Sequence, residues 1–220
     1  MYIQKGDTLL FIGDSITDCG RRRPAGEGLH GALGEGYVAL FHAMLEIHHP
    51  EQRCRVINMG CSGETSREVL SRWQTDVLAL EPDVVVVMVG INDVWHAFNR
   101  PHQPQMHVQE AEFGQNLRTM AENSRGHVRK LVFASPYFIE PNRQEPMRRK
   151  MDCFGQRMRE EAQRAGALFI DTQAAFDRLV PAWYHPSALA WDRVHPTQSG
   201  HLLLAETLAR ALCGDSGQES

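Results

Sequence analysis

One serine in the chain occupies a position from which it could act as a nucleophile. Ser15 follows the apolar run Leu9-Leu10-Phe11-Ile12 and the pair Gly13-Asp14. A continuous apolar run is typical of a strand buried on both faces of a parallel sheet, and open α/β sheets bind ligands beyond the carboxyl ends of such strands. We therefore expect Ser15 to face a crevice. The alternative is that Asp14 and Ser15 only cap the helical turn that follows.

His195 is the best candidate for the base that such a serine needs. Asp192 lies three residues before it on a predicted short turn. That spacing can let the carboxylate bind one imidazole nitrogen and fix the tautomer, which leaves the other nitrogen for Ser15. An Asp-x-x-His pattern is also explained by a local hydrogen bond, by a helix start or by a divalent metal, although no third metal ligand is evident.

Acyl transfer also needs hydrogen-bond donors for the oxyanion that develops on the carbonyl oxygen. Three are available near predicted strand ends: the backbone N–H groups of Ser15 and Gly63 and the side-chain amide of Asn92. Gly63 is also explained as a simple turn residue, and Asn92-Asp93 as an Asx-turn. Each signal is weak alone, but together with Asp192 and His195 they indicate one catalytic site.

The elements that would position these residues alternate between strand and helix. Strands are predicted at 9–13, 55–60, 84–90, 130–136 and 167–171, and helices at 37–49, 66–80, 108–124, 147–165 and 197–213. This alternation predicts an α/β fold, a doubly wound three-layer α/β/α sandwich with right-handed crossovers. Five parallel strands suit the flavodoxin-like order 2-1-3-4-5, which places Ser15, Gly63 and Asn92 around one crevice.

Composition excludes several classes of function. The 220 residues, with a net charge of −4, predict one domain over residues 1–213 and a flexible tail over 214–220, with no nucleic-acid partner. We expect neither a membrane span nor a signal peptide, and hence a cytoplasmic protein. Five cysteines without a Cys-x-x-Cys pair indicate reduced thiols and no zinc knuckle.

Two basic segments have no evident catalytic role. Residues 19–36 are rich in glycine and arginine and predict a long loop, but they lack the spacing of a phosphate-binding loop. Within them, Arg21-Arg22-Arg23 is interpreted as a solvated or interface surface, with direct substrate contact as the alternative. Arg148-Arg149-Lys150 is likewise interpreted as the solvated face of a helix.

The four catalytic stretches together resemble the four sequence blocks of the SGNH (GDSL) hydrolases. The matching stretches, in order along the chain, are Gly13-Asp14-Ser15, residues 60–63 after Asn58, Gly90-x-Asn92-Asp93 and Asp192-x-x-His195. The resemblance implies a serine esterase in which Ser15 is the nucleophile, His195 the general base and then acid, and Asp192 its orienting carboxylate. It also implies an oxyanion hole formed by Ser15, Gly63 and Asn92, with Asp14 and Asp93 supporting the loops.

Longer stretches resemble the intracellular acetyl-xylooligosaccharide esterases of this family. They include residues 11–21, 90–95, 146–149, 171–176 and 188–196. This resemblance implies deacetylation of short sugars without a metal or other cofactor, by an assembly of several identical subunits. Trp95, Tyr137 and Trp191 flank the motifs and could stack on a sugar ring, or could instead pack the crevice walls.

Two other functions remain open at this point. A short-chain lipid esterase or thioesterase could use the same catalytic residues, although no long apolar insertion lies near the motifs to form an acyl tunnel. A flavodoxin-like small-molecule binding module without catalysis would need none of them. The complete set of catalytic residue types favours an enzyme.

Overall fold

A computed structural model describes residues 2–183 and 185–214 and has a five-stranded parallel sheet at its centre. The strands are β1 (Thr8–Gly13), β2 (Arg55–Asn58), β3 (Val84–Met88), β4 (Lys130–Ala134) and β5 (Leu168–Ile170). They lie in the order β2-β1-β3-β4-β5 with every neighbouring pair parallel. The predicted order 2-1-3-4-5 is therefore confirmed. Of the predicted tail over 214–220, residues 215–220 lie outside the described residues.

Helices cover both faces of the sheet. They are α1 (Ser15–Asp18), α2 (Tyr37–His48), α3 (Ser66–Ser71), α4 (Trp73–Asp76), α5 (Ile91–Asn99), α6 (Glu110–Ser124), α7 (Pro146–Ala165), α8 (Thr172–Trp183), α9 (Pro186–Leu189) and α10 (Gln198–Cys213), with short 3₁₀ turns at Leu78–Leu80 and Pro104–Met106. One group of helices comprises α2, α8 and α10, and another comprises α3, α5, α6 and α7. The predicted α/β/α sandwich is confirmed.

The central strand explains why this sheet forms. All five residues of β3 are buried, and β1 and β4 flank it over its whole length. Four consecutive valines give β3 the β-branched side chains that suit a strand covered on both faces. The buried strands place their carboxyl ends side by side, and the motif residues follow those ends.

Helix boundaries differ from prediction around Arg72. The helix expected over 66–80 is divided into α3, α4 and a 3₁₀ turn, because Arg72 leaves helical geometry between α3 and α4. Its guanidinium binds Glu64 at 2.7 Å and Asp76 at 3.0 Å. A further helix, α5, begins directly after β3 and was not predicted, because Gly90 and the following motif resemble a loop in local sequence.

Two arginines expected at solvated surfaces are buried. Arg21 is 7% exposed, and its guanidinium donates to the carbonyls of Gly60 (2.6 Å) and Pro24 (2.7 Å). Arg148 is 1% exposed. A guanidinium is buried at acceptable cost only when its donors find acceptors. Each arginine therefore ties loop segments together, and the solvated-face interpretation was wrong for both.

Candidate active site

The turn between β1 and α1 presents Ser15. Gly13 has no room for a side chain, since a Cβ there would lie 2.1 Å from the carbonyl oxygen of Met88. Asp14 caps α1 by accepting a hydrogen bond from the N–H of Ile16 at 3.0 Å, and its burial raises its pKa to about 7. The capping role therefore falls to Asp14, and the Ser15 hydroxyl is left for another partner.

That partner is His195. The Ser15 Oγ lies 2.9 Å from the His195 Nε2, and the His195 Nδ1 lies 2.6 Å from the Asp192 Oδ2. With Nδ1–H donating to the carboxylate, Nε2 is free to accept the serine proton. Three residues from two distant stretches thus form one continuous hydrogen-bonded chain.

The Asp192 carboxylate is held as an anion. Its Oδ1 accepts from the backbone N–H groups of Val194 at 2.9 Å and His195 at 2.8 Å. Burial acts to raise the pKa of Asp192, but the hydrogen bonds from the imidazole and these amides outweigh it and hold the pKa below its usual value. An ionised, fixed carboxylate can orient the imidazole and stabilise its protonated form.

Hydrogen-bond donors surround the same turn. Gly63 lies in the β2–α3 connection with φ +86°, a left-handed conformation that favours glycine. Asn92 occupies the first turn of α5, and its side-chain amide donates to the carbonyl of Glu64 at 2.8 Å, which ties α5 to the Gly63 loop. Within residues 2–183 and 185–214, the N–H groups of Ser15 and Gly63 have no internal acceptor. They are available to a substrate oxyanion.

Asn58 fixes the distance between the Gly63 loop and the serine turn. Its buried amide donates to the carbonyls of Thr17 at 2.7 Å and Leu33 at 2.8 Å, and its Oδ1 accepts from Gly60 N–H at 2.9 Å. A Cβ on Gly60 would lie 2.2 Å from the Asp18 nitrogen, so only glycine permits this approach.

Asp93 supports Asn92 through a buried network that includes residues the sequence reasoning missed. Its carboxyl accepts from the Ser66 N–H at 3.0 Å and the Ser66 hydroxyl at 2.5 Å, and the Asn116 amide donates to that hydroxyl at 2.9 Å. Burial raises the pKa of Asp93 to about 7. Ser66 could have been found from the sequence, because it follows Thr65, the N-cap of α3. Asn116 has no such signal in its local sequence.

The three aromatic residues predicted to contact a sugar are placed differently. The Trp95 ring centroid lies 5.8 Å from that of His195, and Trp191 is 76% exposed beside Asp192. Tyr137 is 1% exposed; its ring packs on Phe176. With no ring face open to a substrate, Tyr137 cannot stack on a sugar, and that prediction was wrong.

A second histidine close to the site is held neutral. His201 Nδ1 accepts from the backbone N–H of Tyr37 at 3.2 Å, and its Nε2 lies 3.5 Å from the Cys19 sulfur. Burial, aided by charge on His195, lowers the pKa of His201 to about 4. Both ring nitrogens are engaged away from Ser15, which leaves His195 as the base candidate.

The described residues contain neither a metal-binding cluster nor a membrane-spanning helix. Across 2–183 and 185–214, no three side chains of His, Cys, Asp or Glu are grouped to hold a metal ion. In that part of the chain, no helix combines the length and apolar character needed to cross a bilayer.

Comparison with known proteins identifies the family of this chain. Residues 11–203 match the model of the GDSL-like lipase/acylhydrolase family. An acetylxylan esterase of Geobacillus stearothermophilus is 47% identical over 96% of both chains, and a crystal structure of that enzyme, Axe2, superposes with a TM-score of 0.94. LAE5, an α/β hydrolase from the metagenome of Lake Arreo, is 45% identical over 99% of this chain and 100% of its own, with a TM-score of 0.96. The chain therefore belongs to the GDSL-like lipase/acylhydrolase family and is a carboxylic ester hydrolase.

Proposed function

We propose that the protein is a serine acetylesterase that removes O-acetyl groups from short acetylated xylo-oligosaccharides, with Ser15, His195 and Asp192 as its catalytic triad. The observation that carries this proposal is the hydrogen-bonded chain from the Ser15 Oγ through His195 to Asp192, at 2.9 and 2.6 Å. The acetylxylan esterase relative supports the substrate class. Solved variants of that relative named as catalytic mutants replace a serine, an aspartate or a histidine by alanine.

The reaction proceeds in two acyl-transfer steps. The Ser15 oxygen attacks the acetyl carbonyl carbon while its proton passes to the His195 Nε2, and Asp192 stabilises the imidazolium. The N–H groups of Ser15 and Gly63 and the Asn92 amide stabilise the oxyanion. The bond to the sugar oxygen then breaks, and His195 protonates that oxygen. Water, deprotonated by His195, attacks the acetyl-enzyme, which releases acetate and restores Ser15.

A sugar substrate fits the aromatic surface beside the triad. Trp95 is adjacent to His195, and Trp191 exposes most of its indole. Both could stack on the apolar face of a pyranose, as indoles commonly do with flat, partly apolar ligands. Their role in substrate binding is part of the proposal.

The rates of hydrolysis of a set of esters distinguish this function from a lipid esterase or thioesterase. The hydrolysis rates are compared for acetylated xylo-oligosaccharides, for an acetyl thioester, and for the acetyl and octanoyl esters of one alcohol. Ser15→Ala is the blank. We expect the xylo-oligosaccharides to be the best substrates. A marked preference for the octanoyl ester or the thioester would overturn the sugar assignment.

Labelling tests the nucleophile directly. A serine-reactive organophosphate should add to Ser15 and to no other serine, as identified by peptide mass spectrometry. Active protein without an adduct on Ser15 would refute the triad. On the family resemblance we also propose a homo-oligomer in the cytoplasm; sedimentation equilibrium at micromolar concentration should give a mass above that of one chain, and fractionation should recover it with soluble cytoplasmic proteins.

A further inference from the structure

The Asp192–His195 turn contains a residue in an uncommon backbone conformation. Arg193 has φ +67°, the left-handed region that non-glycine residues rarely adopt. Such conformations persist where surrounding structure over-determines them, and they concentrate at functional sites. Since Arg193 lies between the catalytic candidates Asp192 and His195, the contacts that hold it also determine where the imidazole lies.

Those contacts come from residues 137–141, which we call the clamp loop. The N–H of Ile139 donates to the carbonyl of Arg193 at 2.9 Å, and the Tyr137 hydroxyl donates to the carbonyl of Val194 at 3.1 Å. Two consecutive carbonyls immediately before His195 are therefore fixed from outside the turn.

The side chain of Arg193 also binds the clamp loop. Its guanidinium donates to the Glu140 carboxylate at 2.6 Å and lies over the Phe138 ring, 4.7 Å from the ring centroid. The Glu140 side chain is only 15% exposed, so this ion pair is partly shielded from solvent. Together with the backbone contacts, it holds Arg193 from both its main chain and its side chain.

A buried arginine anchors the clamp loop to the body of the protein. The Arg148 side chain on α7 is 2% exposed and donates to the Glu140 carbonyl at 2.6 Å. The same guanidinium forms a two-point contact with Asp177 on α8, at 2.9 and 2.6 Å, and donates to Asp152 at 2.8 Å. Such bidentate pairing gives geometric precision as well as attraction.

Gln173 completes the anchor on the other side of the loop. Its Oε1 accepts from the N–H of Phe138 at 2.7 Å, and its amide donates to Asp177 at 3.0 Å. Arg148 and Gln173 therefore share Asp177 and together fix both Phe138 and Glu140. The loop is held at two points before it contacts the catalytic turn.

We propose that Arg148 and Glu140 are positioning residues, which hold His195 in reach of Ser15 through the clamp loop and Arg193. This inference rests on the proposed triad. Neither residue touches the reacting atoms. In metal sites, partner residues orient a histidine in the same way, and their substitution commonly lowers activity about 10- to 100-fold.

The test compares Arg148→Met and Glu140→Gln with two controls of the same chemistry at exposed positions, Arg149→Met and Glu122→Gln. The readouts are kcat and KM for 4-nitrophenyl acetate and the rate of organophosphate addition to Ser15. We expect kcat to fall about tenfold or more in Arg148→Met and about threefold to tenfold in Glu140→Gln. KM should change less than twofold, and organophosphate addition should slow in proportion to kcat.

Glu140→Gln keeps the proposal testable if Arg148→Met fails to fold, because Arg148 binds the backbone carbonyl of residue 140 and keeps its partners in that variant. If kcat and the labelling rate of Arg148→Met and Glu140→Gln stayed within twofold of the two controls, the proposed positioning role would be wrong. A wild-type protein that hydrolyses the ester without labelling at Ser15 would instead refute the triad. The two failures are thus distinguishable.

Discussion

The two sides of the proposed catalytic crevice differ in how much charge supports them. On the proposed oxyanion side, a buried network of uncharged donors around the Asp93 carboxyl supports Asn92, and an ion pair between Arg72 and Glu64 adjoins Gly63. The base side, with Asp192 and His195, is supported by ion pairs from a loop and a helix far back along the chain. A donor to the oxyanion needs only a fixed position, whereas the base must also take up and release a charge.

Two motif aspartates show the same contrast. Burial raises the pKa of Asp93 to about 7, because its hydrogen bonds from Ser66 only partly compensate for lost solvation. Burial also acts on Asp192, but the hydrogen bonds from His195 and the backbone outweigh it and lower the pKa. The Asp93 carboxyl is therefore suited to a structural role, and the Asp192 carboxylate is suited to stabilising a cation.

The largest expected effect is on the base side. Ser15→Ala and His195→Ala should each lower kcat/KM for an acetyl ester by roughly 10⁴-fold or more, because either change breaks the proton pathway. The double variant should be no worse than either single one. Additive losses would show that the two residues do not act as a unit.

Stability against pH tests the oxyanion side. A carboxyl whose folded pKa is about 7 instead of 3.8 keeps its proton when the unfolded chain has lost it, so its contribution falls as pH rises from 4 to 7. Between pH 4 and pH 8, the free energy of unfolding of the wild type should therefore fall by on the order of 4 kcal/mol relative to that of Asp93→Asn. Urea unfolding of both proteins at both pH values measures this difference.

Asp18→Asn is the matched control for that measurement, because hydrogen bonds from Arg23 and Ser62 outweigh burial and lower the pKa of Asp18. Its contribution to stability is therefore complete above pH 4 and is lost only as pH falls further. Its free energy of unfolding from pH 5 to 8 should run parallel to that of wild type. If Asp93→Asn were also parallel over this range, Asp93 would not be protonated in the folded protein.

The Asn92 side chain should matter less than the triad. Asn92→Ala removes one oxyanion donor and should lower kcat by about 10²- to 10³-fold with little change in KM. Asn123→Ala, at an exposed position on α6, is the control. A loss that appears in KM instead of kcat would place Asn92 in ground-state binding.

The smallest expected effect comes from the outer part of the oxyanion network. Asn116→Ala removes the amide that donates to the Ser66 hydroxyl and should cost about 1 kcal/mol of stability, the usual contribution of one hydrogen bond. The kcat should fall by less than tenfold. An activity loss as large as that of Asn92→Ala would show that the network controls the donor geometry tightly.

Sequence patterns predicted the parts of the molecule that depend on local chemistry. The apolar strands gave the sheet and its order, and the motif spacing placed Ser15, Asp192 and His195 within one hydrogen-bonded chain. Local sequence failed where the partner is distant. Arg148 lies in a basic run that resembles a solvated face, and only the packed fold brings it to Asp177 and to the Glu140 carbonyl.

Tyr137 illustrates the same limit for an aromatic residue. An aromatic side chain next to a strand end can contact a ligand or pack against other side chains of the protein. The sequence alone does not show which of the two occurs. In the structure Phe176 covers its ring and Val194 accepts from its hydroxyl. The same residue that was expected to bind substrate belongs to the clamp loop.

Trp95 gives the site an optical property. Its indole lies beside the His195 imidazole, with ring centroids 5.8 Å apart. An indole in this position shares its surroundings with the imidazole, so a ligand that enters the site also changes the environment of Trp95. In a protein whose tryptophans at 73, 183 and 191 are replaced by phenylalanine, the fluorescence of Trp95 would report the arrival of a ligand beside His195 without any added label.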